Sequence, residues 1–108
     1  MIVEMGQKFF GFLEGTPYDV VSDNISDLEF AKNPLTEETI IRHVESLDRW
    51  MMASNGAYVT DVYTGEKLQA GIYRDGNYVF PVEILTYLRR GKIGVPKEYE
   101  DYVLSSVQ

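Results

Sequence analysis

The stretch YVTDVYTGEKLQAGIYRDGNYVFP, residues 58–81, holds two tight-turn signals, Thr64-Gly65 and Asp75-Gly76, between runs of alternating side chains. Such turns reverse the chain within two residues, because glycine supplies the positive φ that a hairpin loop needs. They confine the region to three antiparallel strands. With two-residue loops, the first turn pairs Tyr63 with Glu66, so Val59 faces Ala70 and Ala57 faces Ile72. The second pairs Arg74 with Asn77, so Ile72 faces Val79 and Tyr73 faces Tyr78. Side chains alternate along a strand, so this register sorts two faces. One carries Ala57, Val59, Leu68, Ala70, Ile72 and Val79; the other carries Tyr58, Val62, Tyr73, Tyr78 and Phe80. The aliphatic face suits a helix-covered core. The aromatic face is either a recognition surface or a second core layer under the N-terminal strands.

Helical signals flank the meander. In PLTEETIIRHVESLDRWMMASNG, Thr36 is placed as an N-cap, and Glu37 and Glu38 fall in the first turn, where the helix dipole favours anions. Ile40, Val44, Leu47 and Met51 recur at helical spacing. The helix extends to about Leu47; RWMMAS is either its continuation to Ala53 or an extended piece, and Asn55-Gly56 marks the stop. After the meander, Pro81 suits the first position of a helix with Ile84, Leu85 and Leu88 inside and Gly91 after its end. Pro96 opens a last helix with Tyr99, Tyr102 and Val103 on one side. KFFGFL and YDVVSD are strand candidates near the N-terminus, and SDNISDLEFAKNP is expected to be loop with a turn of helix at its centre. The fold class is α+β: a small antiparallel meander of about three to five strands, one helix before it and two after. At 108 residues, the expectation is one domain, 1–108.

The chemistry of the chain is sparse. There is no cysteine, so neither a disulfide nor a thiolate is available. The single histidine, His43, sits beside the apolar helix stripe and has no GxSxG or similar partner motif. Asp61 shares the aliphatic sheet face opposite Leu68, where a carboxylate would need a partner, unless it meets water at the sheet rim. Asp75 is simplest as a turn residue bonding local backbone N–H groups. Arg89–Lys92, RRGK, either complements a helix C-terminus or binds a phosphate. No phosphate loop or EF-hand spacing is present, and no catalytic residue, metal or cofactor is expected. The N-terminus lacks a basic start followed by an apolar run, and nothing approaches the ~18 apolar residues of a membrane helix, so the expectation is a soluble, cytoplasmic protein.

Charge says more. The net charge is −7, and residues 63–108 are balanced, so the excess lies within the first 62 residues. Phosphate binding needs Lys and Arg, so this distribution repels nucleic acid. It attracts a basic protein and speeds the encounter at low salt, although acids also simply keep a small protein soluble. The acids expected to meet a partner are Asp23, Asp27, Glu29, Glu37, Glu38, Glu45 and Asp48, with Tyr58, Tyr73 and Tyr78 as aromatic anchors.

The run DVYTGEKLQAGIYRDGNYVFPVEILTYLRRGKIGVPKEYEDYV resembles small bacterial immunity proteins of polymorphic-toxin and contact-dependent-inhibition systems. The resemblance lies in Ile40–Leu47, Asp61-Val62, Thr64-Gly65-Glu66, Arg74-Asp75-Gly76, Phe80-Pro81, Tyr87 and Val95-Pro96; similar proteins often carry Trp where this chain has Phe80. It covers residues 40–103 and leaves the N-terminal third outside. It implies an inhibitor that binds a cognate toxin domain, with no toxin-contacting residue carried over. Two other readings stand beside it: a structural or regulatory subunit that dimerises through the aromatic sheet face, and a small enzyme using His43 and Asp61 with a tyrosine hydroxyl.

Overall fold

The computed structural model describes residues 8–14, 16, 18, 21–47, 50–52 (backbone only) and 58–106. The elements run β1 (Lys8–Phe9), α1 (Ile25–Phe30), α2 (Glu37–Glu45), β2 (Trp50–Met52), β3 (Tyr58–Thr60), β4 (Lys67–Gln69), β5 (Gly71–Asp75), β6 (Tyr78–Pro81), α3 (Glu83–Arg89) and α4 (Lys97–Ser106). This is a small α+β protein. A four-stranded sheet has the order β1-β6-β5-β2, with β1 parallel to β6 and the other pairs antiparallel; β3 and β4 form a separate antiparallel pair. No described helix is long and apolar enough to cross a membrane.

The continuous meander is therefore divided. Its chain turns out of one sheet and into the other at Ala70, which is fully buried. The first residue of β5, Gly71, gives its N–H to the Tyr18 hydroxyl and takes the Val82 N–H on its carbonyl. The free edge of β5 is taken by β2, where Met51 pairs with Ile72. RWMMAS thus contributes a strand and not the end of a helix. Ala57, Asn55-Gly56 and Asp19-Val20 of YDVVSD lie outside the described residues.

Both hairpins keep their turns and slip by two residues. Val59 faces Leu68, not Ala70, and Tyr73 faces Phe80, not Tyr78. The β5–β6 loop is Gly76-Asn77, with Gly76 at φ 60°, because Asp75 stays in the strand as the partner of Tyr78. The β3–β4 loop is longer because Asp61 organises it: its carboxylate accepts from Tyr63 N–H at 2.8 Å and Thr64 N–H at 3.2 Å. A slip of two leaves every side chain on its expected face, since the strand period is two.

The expected layering holds in β3 and β4, where Val59 is buried and Tyr58 and Val62 are exposed, and departs from expectation in β6. Tyr78 and Phe80 face α3 and α4 and form the main core with Phe10, Ile84, Leu88, Tyr99 and Val103. Phe10 stacks on Phe80 with centroids 4.7 Å apart, and Tyr99 lies 4.9 Å from Phe10. Aromatic rings span the gap between a narrow sheet and its helices better than the shorter Ile72 and Val79. Before the meander stand two helices, since the turn expected within SDNISDLEFAKNP is α1, six residues long. α2 begins after Thr36, but that hydroxyl donates to Glu100 on α4 and makes no cap bond; at φ −119°, ψ 0° its backbone departs from the extended geometry of a capping residue. Pro81 ends β6, so α3 starts at Glu83.

Candidate functional site

The acidic residues fall into distinct environments. Asp23 points inward: its Oδ2 accepts from Gly11 N–H at 2.7 Å and from the Ser22 hydroxyl at 2.9 Å, fastening the N-terminal segment. Asp27, exposed in the first turn of α1, accepts the Asn24 N–H at 3.1 Å. Glu29 is exposed and accepts the Tyr63 hydroxyl at 2.9 Å; burial and then that carboxylate push the Tyr63 phenol up to about 12. Glu37 is half-exposed at the start of α2. Glu38 pairs with Arg42 at 2.5 Å, both well exposed, and Glu45 pairs with Arg89 of α3 at 2.5 Å. Asp48 lies outside the described residues. Of the three tyrosines, Tyr58 alone is exposed, with the Lys67 ammonium 4.6 Å from its ring centre. Tyr73 is half-buried against Phe80, and Tyr78 is in the core, so neither presents a full ring to a partner.

Among the described residues, buried acids include Glu100, which accepts the Thr36 hydroxyl, and three further clusters. His43 and Asp61 are not brought together. His43 Nε2 lies 2.8 Å from Asp75 Oδ2, which also accepts the Tyr99 hydroxyl at 2.8 Å, while the Tyr102 hydroxyl reaches Oδ1 at 3.4 Å. An ionised carboxylate can only accept, so Nε2 carries the hydrogen. Asp75 is thus a junction between α2, β5 and α4, not a turn-capping residue. Asp61, 1 % exposed, is paired with Arg90. Burial alone would raise its pKa; the Tyr63 N–H, the Arg90 guanidinium and the Thr64 N–H outweigh it and hold the carboxyl below its usual range.

The third cluster was not visible in the sequence. Glu83, 2 % exposed at the start of α3, has Oε1 2.9 Å from the Tyr18 hydroxyl. That hydroxyl is also 2.9 Å from Gly71 O and accepts the Gly71 N–H at 3.0 Å. A phenol has one hydrogen, and here two acceptors stand at equal distance. The Tyr18 hydroxyl uses its one hydrogen and accepts fully when Glu83 itself is protonated and donates to Tyr18, which donates to Gly71 O. Burial pushes the Glu83 carboxyl up to about 7, and its Oε2 has no partner among the described residues.

Two large apolar residues are also unaccounted for by packing. Phe30 is 94 % and Leu35 98 % exposed, and both line a groove of about 410 Å³ with Ala31, Pro34, Lys97 and Glu100. The signal was present but faint. Leu28 fills the inner side of α1, and a step of two residues turns about 200° around a helix, so Phe30 must face outward. Against protein-family models, curated proteins and solved structures, the chain has no match.

Proposed function

We propose that this protein is a non-catalytic protein-binding inhibitor, an immunity protein that neutralises a basic toxin domain in the cytoplasm. The observation that carries this reading is the exposure of Asp27, Glu29 and Glu38 on two neighbouring helices, within a segment, residues 23–45, that carries six acids against two bases. A nuclease-type toxin offers a cleft of the opposite sign, and filling that cleft blocks its substrate without any bond being made. Part of the acidity is met internally by Arg42 and Arg89. Such exposed pairs hold their partners weakly and exchange them readily for a partner's cations. The resemblance over residues 40–103 motivates the choice of a toxin as that partner.

The test uses the protein encoded immediately upstream of this chain's gene. Expressed alone it is expected to arrest growth, and co-expression of this chain to relieve the arrest. The association rate should fall steeply as salt rises, with dissociation changing much less. An association rate indifferent to salt, or a neighbour that is harmless and does not bind, overturns the reading.

A further inference from the structure

The connection between α1 and α2 joins three features that rarely coincide. The first is the exposure of Phe30 and Leu35, at 94 % and 98 %. Single exposed apolar residues are ordinary, but these two flank one groove of about 410 Å³. The second is rigidity. Asn33 between them donates its side-chain N–H to Val95 O at 3.3 Å and accepts Val95 N–H at 2.8 Å. Gly94 N–H donates to Leu28 O at 2.8 Å, and Thr36 N–H to Asn33 O at 3.1 Å. Gly94 lies so close to this segment that an added Cβ would stand 2.5 Å from Ala31 O. Both side chains are therefore held out by a backbone that loses little freedom when something binds. The third is charge. Exposed Asp27 and Glu29 precede Phe30, and Glu37 and Glu38 follow Leu35, so the acids outnumber the exposed Lys32 that lies on the groove wall between the anchors; Lys97, also on that wall, is engaged by Glu100 and Asp101.

We infer that Phe30 and Leu35 are the paired anchors of a docking surface for a basic protein, whose apolar pocket is rimmed by Lys and Arg. This rests on the inhibitor reading and adds to it the place of contact. Apolar anchors inside a charged rim supply, respectively, slow dissociation and fast, selective encounter. A second copy of this chain would set acidic rim against acidic rim.

The experiment selects a displayed random-peptide library on the wild-type protein at low salt, then measures the enriched peptides on wild type and on the F30A/L35A double variant. Both residues are solvent-exposed, so the variant should keep the wild-type melting temperature. The expected result is peptides combining Lys or Arg with large apolar residues, binding the variant about tenfold or more weakly. They should shift wild-type amide resonances around residues 29–36. Basic peptides that bind the variant equally well overturn this surface and leave the inhibitor reading standing. Neutral, salt-insensitive peptides that require Phe30 and Leu35 overturn the basic partner and that reading with it. Selection of nothing above background overturns the surface, and so does a wild-type dimer in sedimentation that the double substitution abolishes.

Discussion

Glu83 shows how a single buried proton can set a pH dependence. Its folded pKa is raised, from 4.5 to about 7, so the folded state binds the proton more tightly than the unfolded chain. The resulting stabilisation is complete below about pH 4.5 and is lost as pH rises through 7. A shift of that size corresponds to ~3 kcal/mol. The E83Q variant keeps the shape and lacks the proton equilibrium. In urea unfolding, its stability relative to wild type should therefore climb by about that ~3 kcal/mol between pH 4.5 and 8; a flat difference would show that Glu83 is ordinary. Asp61 has the opposite sign. Its pKa is lowered, so its contribution is present at neutral pH and lost as acid protonates the folded carboxyl. Removing the partner in R90A leaves a buried carboxylate unpaired. The expected loss at pH 7 is ~2 kcal/mol, below the usual ~3–5 for a fully buried pair because the Arg90 side chain is 33 % exposed.

Between elements, the joints are polar and specific. Asp75 draws α2 and α4 to the end of β5 through His43, Tyr99 and Tyr102. Y99F keeps the ring in the core and removes one hydrogen bond to a carboxylate. It should cost ~1.5–3 kcal/mol in equilibrium unfolding, and a cost near zero would mean that His43 and Tyr102 suffice for Asp75. The β3–β4 hairpin is tied to α3 by Val62 N–H donating to the Tyr87 hydroxyl at 3.2 Å and by the Asp61–Arg90 pair. The α1–α2 connection is locked to the segment before α4 by backbone proximity at Gly94. There a Cβ would meet Asn33 Oδ1, Ala31 O and Lys32 Cα, two of which belong to backbone and cannot rotate away. G94A should lower stability by ~1–3 kcal/mol and disturb the Asn33–Val95 amide resonances first; an unchanged melt would mean this contact is loose.

At the scale of the whole molecule, the acids serve two purposes. Asp23, Asp61 and Asp75 turn inward and satisfy backbone or side-chain donors, while Asp27, Glu29 and Glu38 remain exposed. Acids that reach solvent, half-exposed Glu37 among them, are the ones placed to steer a partner. Replacing Glu29, Glu37 and Glu38 together by Gln should slow association with a basic partner several-fold at low salt and leave dissociation nearly unchanged. Stopped-flow mixing at two ionic strengths separates this from an effect on contact, which would appear in dissociation.

Local signals in the sequence determined α2, α3 and α4, the two reversals, and which strand residues share a face, because apolar spacing and glycine turns act over a few residues. Thus Ile84, Leu85 and Leu88 are buried as their spacing requires, and the faces survive a slip of two. Three features were decided only by the tertiary structure. They are the division of the meander at Ala70, the burial of Tyr78 and Phe80 against the helices, and the pairing of His43 with Asp75 in place of Asp61. Each depends on groups far apart in the chain, as Tyr18 is from Gly71 and His43 from Asp75. Competition among strand edges and buried donors is settled by the best simultaneous arrangement of all of them, which no short window of residues contains.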